Sequence, residues 1–92
     1  MAKKALIKES TLKELIAAGI TADATLIPRR DRSFEVLVQY ADRHETLQTF
    51  KGDVRTFLDP VRAIDWAKRI GLLNLRVNVD LKRWSNVGKP VH

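Results

Sequence analysis

Between Ser33 and Ala41 the side chains alternate without a break. Phe34, Val36, Val38 and Tyr40 fall on one side, and Glu35, Leu37, Gln39 and Ala41 on the other. A period of two over this length predicts a β-strand with one apolar face, and such a face has to be covered. The rest of the chain therefore has to supply strands to pair with this one and a layer to lay on its apolar side.

The pairing partners are readable on both flanks. Thr25-Leu-Ile-Pro28 reads as a short strand, and its proline points to an edge position. The polar run from Arg29 to Ser33 is a turn. Asp42-Arg43 marks a tight turn into a third strand, His44 to Phe50, and Lys51-Gly52-Asp53 a turn into a short fourth, Val54 to Phe57. Leu73, Leu75, Val77 and Val79 alternate with polar residues and predict a last strand. Two helices are expected to form the covering layer. The first starts at Ser10 or Thr11, with Thr11 and Glu14 as a capping box, an apolar stripe of Leu12, Leu15 and Ile16, and Gly19 at its end. The second is capped by Asp59, opens on Pro60 and closes at Gly71, with Ala63, Ile64, Ala67 and Ile70 facing inward and Asp65 spaced to pair with Arg69. The expectation is a two-layer α+β domain over residues 10–80, ordered α-β-β-β-(β)-α-β. Its antiparallel sheet has four or five strands, with both helices on one face. Residues 1–9 are expected to be a flexible basic lead and 81–92 a basic tail. The other sheet face, expected to show Leu37, Leu47 and Ala41, invites a second copy, so a homodimer is expected.

Length and composition narrow the classes of function. Ninety-two residues suit one domain. No apolar run approaches the roughly 20 residues that span a bilayer, so no membrane role is expected. The basic start has too short an apolar part for a signal peptide, and a cytoplasmic location is expected. The chain has no cysteine, hence neither disulfides nor thiolate metal sites. The net charge of +6 is uneven: residues 1–50 carry eight Lys/Arg against seven Asp/Glu, residues 51–92 nine against four. A basic half attracts nucleic acid or an acidic partner, although this net charge is also ordinary for a soluble small domain.

Motifs that carry chemistry are missing. His44 sits beside a turn between Asp42 and Glu45, but no nucleophile accompanies it. His92 ends the chain. Asp53, Asp59 and Asp65 are read as a turn, a cap and a helix face rather than metal ligands. The four glycines are isolated, so no phosphate-cradling loop is formed. No catalytic residue, metal, cofactor or small-molecule substrate is expected. The remaining candidates are basic and aromatic: Arg29, Arg30 and Arg32 in one turn, Arg76 in the last strand, Lys82, Arg83 and Trp84 beyond it, and Lys3 and Lys4 near the start. The cations suit phosphate oxygens. Packing is the first reading of Trp84 and the expectation for Trp66, and stacking on a base or anchoring in a partner is the second reading of Trp84.

The run Phe34-Glu-Val-Leu-Val-Gln-Tyr40, then Val54-Arg-Thr-Phe57, a helix ending Ile70-Gly71, and Leu75-Arg-Val-Asn-Val-Asp80 resemble the small ParC-type accessory proteins that accompany plasmid partition genes. Leu15-Ile-Ala-Ala-Gly19 before a strand is similar too, and the likeness spans residues 10–80. It implies a non-enzymatic role in plasmid partition or maintenance, beside a partition ATPase and its DNA-binding partner, and brings no catalytic motif. Lys82-Arg-Trp84 is not part of that pattern. Strands ending in Arg55-Thr-Phe57 before a helix with Ala63 and Trp66 also resemble the arm-binding domains of tyrosine recombinases, which implies DNA binding by a sheet face. A pure dimerisation or adaptor module is the third reading.

Overall fold

The computed structural model describes residues 5–78. The elements in order are β1 (Leu6–Lys8), α1 (Glu9–Ala17), β2 (Ala22–Pro28), β3 (Phe34–Tyr40), β4 (Arg43–Gln48), β5 (Thr56–Phe57), α2 (Pro60–Ile70) and β6 (Asn74–Val77). The fold is α+β, with one sheet of six strands ordered β1-β4-β3-β2-β6, and β5 paired to β3 beyond the end of β4. The central strands β2, β3 and β4 are antiparallel. The outer pairs β1/β4 and β2/β6 are parallel. The sheet is thus mixed, not purely antiparallel. A helix laid across a sheet returns the chain to the end where the preceding strand began, so the strand after it runs the same way. Each helix does this once, and the hairpins account only for the middle of the sheet. No helix among the described residues is long and apolar enough to cross a membrane.

The extra strand at the start corrects the expected loose lead. Leu6, Ile7 and Lys8 pair with Thr46, Leu47 and Gln48. Three residues are too few to display alternation, so only the pairing reveals the strand. The chain passes straight from β1 into α1 with Lys8 in the cap position and no side-chain cap bond. Thr11 and Glu14 therefore lie inside the helix and form no capping box. Glu9 occupies the first turn instead, where a carboxylate complements the helix dipole. α2 forms as expected: Asp59 accepts a hydrogen bond from the Arg62 backbone N–H at 2.9 Å, Pro60 leads, and Gly71 ends the helix at φ 93°.

β2 is interior rather than an edge. Asp23 to Leu26 pair with β6 on one side while the whole strand pairs with β3 on the other, and Pro28 sits past the stretch shared with β6. The third strand runs Arg43–Gln48, so Thr49 and Phe50 belong to the following loop, where Phe50 is 89% exposed. There the Thr49 hydroxyl accepts the backbone N–H groups of Lys51 and Asp53, which closes the turn. Of the expected fourth strand only Thr56–Phe57 is regular, with an isolated bridge from Val54 to Gln48.

One face of the sheet is sealed. Ala22, Ala24 and Leu26 of β2, Phe34, Val36 and Val38 of β3, Leu47 of β4 and Ile7 of β1 share a buried cluster with Leu12 of α1 and Ala63, Trp66, Ala67 and Ile70 of α2. Leu47, expected on the open face, is fully buried here opposite Ile7. Ile64 is more exposed than expected and Trp66 takes its place on the inner face. On the other face, successive rows run His44–Gln39–Asp23–Asn74 and Leu6–Thr46–Leu37–Thr25–Arg76. Neither helix contributes a buried residue to that side.

Ala41 is not on a sheet face at all. It lies in the β3–β4 turn at φ 50°, left-handed backbone that costs an L-residue roughly 1 kcal/mol. Ala41→Gly is expected to raise stability by no more than about 0.6 kcal/mol, after the entropy of roughly 0.4–1 kcal/mol that glycine adds to the unfolded chain. A urea midpoint that falls instead would show that the Ala41 methyl contributes packing.

Candidate nucleic-acid interface

Of the four described cations singled out from the sequence, three lie in the β2–β3 turn and Arg76 lies on the sheet face away from the helices. Arg29, Arg30 and Arg32 occupy the β2–β3 turn. It is closed by Arg29 N–H to the Ser33 carbonyl at 2.8 Å and by Asp31, which accepts the Ser33 backbone N–H at 3.0 Å and the Ser33 hydroxyl. Those two hydrogen bonds from Ser33, hydroxyl first, hold the Asp31 carboxyl below its ordinary pKa. Arg29 is half-buried and reaches Asp31 and Glu35 at 3.9 Å each. Arg30 and Arg32 are exposed, with no ion pair among the described residues. Arg32 takes φ 72°, which completes the turn. Arg76 lies on β6, opposite Thr25. Its row ends three residues of β2 short of the arginine turn, roughly 10 Å at the strand rise. Lys82, Arg83 and Trp84 lie outside the described residues, as do Lys3, Lys4 and His92.

Between these cations the open face is mostly polar and carries two carboxylates, Asp23 beside Gln39 and Asn74, and Glu35 beside Arg29. Thr25, Gln39, Gln48, His44 and Asn74 alternate with the residues that build the core, Thr46 on the same face is buried, and Leu37 sits at the centre, half-buried. Thr25 donates to Gln39 Oε1 at 3.4 Å and Asn74 Nδ2 donates to Asp23 Oδ1 at 3.1 Å. Amides and hydroxyls at this spacing can donate to and accept from base edges, and flanking arginines can reach phosphates.

The uneven charge read from the sequence persists within the described residues: residues 5–50 carry six Lys/Arg against seven Asp/Glu, and residues 51–78 six against three. Residues 5–78 carry twelve Lys/Arg against ten Asp/Glu. Most of the net charge therefore belongs to the two ends outside them, Lys3 and Lys4 on one side and Lys82, Arg83 and Lys89 against Asp80 on the other.

A second cationic surface joins Arg62 and Arg69, which helical spacing puts on one face with Asp65, to Arg55, which only the fold brings beside them. Arg55, Arg62 and Arg69 line a hollow of about 390 Å³ with Thr56, Leu58 and Asp65, over Phe57 and Trp66. Arg55 also borders a hollow of about 450 Å³ with Lys8, Gln48 and Phe50. Acids offset much of this charge: Glu9 holds Arg55 at 2.7 Å and Asp59 holds Arg62 at 3.5 Å. Asp65 and Arg69 form no ion pair with each other, although their spacing predicts one. Residues 9, 55 and 66 come together only through the fold, so no local pattern announces them.

Catalytic geometry does not develop around His44. It is exposed on the open face, whereas Glu45 points to the opposite side and is engaged by Tyr40 Oη and by Arg43 at 3.0 Å. The hydrogen bond to Glu45, then burial, raise the Tyr40 phenol above its ordinary pKa. Among the described residues no three His, Cys, Asp or Glu side chains converge on a metal-sized space. Comparison with protein-family models, curated proteins and solved structures finds no match to this chain.

Proposed function

We propose that the chain is a non-enzymatic DNA-binding accessory module that lays the open face of its sheet against a duplex. The observation that carries this reading is the asymmetry of the sheet. One face is closed by two helices, and the other, among the described residues, carries amides, hydroxyls and Arg76 together with Asp23 and Glu35, next to the turn that holds Arg30 and Arg32. A duplex major groove about 12 Å wide admits a β-ribbon, and the base edges there present a distinct pattern of donors and acceptors to such side chains. Basic segments before residue 5 and after residue 78 add phosphate contacts that position the module without reading sequence. The likeness to ParC-type proteins sets this activity in plasmid partition or maintenance in the cytoplasm, beside a partition ATPase and its DNA-binding partner. The likeness to arm-binding domains supports the sheet as the reading element.

The test is fluorescence anisotropy of a labelled duplex across a salt series. Binding is expected to weaken steeply with salt, and each phosphate-contacting arginine removed to reduce the log–log slope by about 1. Arg30→Ala, Arg32→Ala and Arg76→Ala are the variants for this. Leu37→Glu places a carboxylate at the centre of the open face and is expected to lower affinity at least about tenfold, as like charges are brought together. Arg62→Ala with Arg69→Ala is expected to leave affinity within about twofold. Salt-independent binding would count against phosphate contacts altogether, and loss through Arg62 and Arg69 with Leu37→Glu silent would transfer the activity to the other surface.

A further inference from the structure

We infer that the chain pairs with a second copy of itself through the apolar end of the domain where both helices stop. Gly19 follows the Ala18 cap of α1 and Gly71 caps α2, both in left-handed backbone, and a Cβ on Gly71 would stand 3.5 Å from Ile16 Cγ2, so the two helix ends lie side by side. Leu72 turns inward after Gly71 and is buried. Leu73, the next residue, is 87% exposed. It stands as a knob between two hollows that share it as a wall. One, of about 220 Å³, is bounded by Ile16, Ile20 and Ala22. The other, of about 300 Å³, is bounded by Ile64, Ala67 and Leu75. Each has room for a leucine side chain.

A knob placed beside apolar hollows is complementary to itself. Under a two-fold axis, Leu73 of each copy enters a hollow of the other, and one patch serves as both halves of the contact. Charge argues for the same occupant. Among the described residues, Lys68 is the only ionisable one lining either hollow, in a chain of net charge +6. Two like-charged copies therefore meet at their least charged end, where a nucleic acid or acidic peptide would find little to hold. This contact differs from the one expected from the sequence, which used the open sheet face, and it leaves that face uncovered. Doubling the DNA contacts is a consequence that rests on the DNA reading; self-association does not.

Sedimentation equilibrium of the full chain, without DNA, tests the pairing. The mass is expected to rise with concentration from 10.5 kDa to twice that value. Leu73→Asp is expected to weaken dimerisation at least tenfold with an unchanged circular dichroism spectrum, and Leu73→Met to preserve it. Ile20→Asp, at a half-exposed position in the first hollow, reads the same contact if Leu73→Asp disturbs folding. A mass fixed at 10.5 kDa up to millimolar concentration overturns the inference. So does a folded Leu73→Asp or Ile20→Asp chain that dimerises as tightly as the parent. Because no DNA is present, failure here is distinct from failure of the DNA reading.

Discussion

Trp66→Ala is expected to cost about 3–5 kcal/mol, the range for truncating a buried tryptophan. A chain of this length has only roughly 5–14 kcal/mol of stability in total, so the variant should be largely unfolded at moderate urea. Trp66 is 1% exposed and does two things at once. Its ring packs on Phe57 at 5.5 Å between centroids, and its Nε1 donates to Glu9 Oε1 at 3.1 Å. The same oxygen receives Arg55 Nη1 at 2.7 Å, and the Arg55 guanidinium lies over the Phe57 and Trp66 rings at 5.0 and 6.0 Å. Glu9 thus ties the start of α1 to β5 and α2 across 46 and 57 residues of sequence. Trp66→Phe separates the two roles, since it keeps an aromatic ring and removes the donor. It is expected to cost about 1.5–3 kcal/mol, as for a hydrogen bond to a charged group, and a cost equal to that of the alanine variant would put the whole effect in that bond.

The same node shapes the acid limb. Burial raises the Glu9 pKa, but hydrogen bonds from Trp66 and Arg55, together with the charges of Arg55 and Lys13, outweigh it and leave the carboxyl below 4.5. A carboxyl depressed in the folded state adds stability above its unfolded pKa, and that stability is lost as pH falls through the folded value. Wild type should therefore lose stability more steeply than Glu9→Gln below about pH 4.5 and converge with it in stronger acid. The side chain is about one-third exposed, so solvent moderates the size of the difference.

What the sequence made legible follows the range of the forces involved. Period two from Phe34 to Tyr40 and the Asp59-Pro60 start of α2 are local, and the structure keeps both. Leu47 was misassigned because its face follows from pairing: Thr46 stands opposite Leu37 on the open face, which turns Leu47 to the core opposite Ile7. β1 was missed because three residues carry no period. Its existence depends on pairing with β4 and on the Thr46 N–H reaching the Ala5 carbonyl at 2.8 Å. Strand direction was misjudged for the same reason: a parallel neighbour is joined through a helix, and nothing in the helix sequence says where it lands. For the site, the arginine turn was visible as a cluster of like charge. The placement of Arg76 on the open face required knowing that β6 pairs with β2, and the Glu9–Arg55–Trp66 node required the complete fold.

Leu12→Ala is expected to cost about 2–5 kcal/mol, and where that cost appears is as informative as its size. Leu12 is the only buried residue of α1, with Leu15 and Ile16 partly covered beside it. A nine-residue helix without a side-chain cap is not stable by itself in water. α1 is therefore held by Leu12, by the Glu9 node, and by β1, which has one neighbour among the described residues. Weakening the first of these should let β1 and α1 detach together while the β2–β3–β4 sheet and α2 remain. In hydrogen exchange, the amides of Leu12 to Ile16 should lose protection in Leu12→Ala well before those of Val36 and Val38 in the central strand. Equal loss in both places would mean that the N-terminal unit has no independent opening and that the domain melts as one body. Unequal loss would place the weakest seam of the fold between α1 and the sheet, the junction that Glu9, Arg55 and Trp66 bridge.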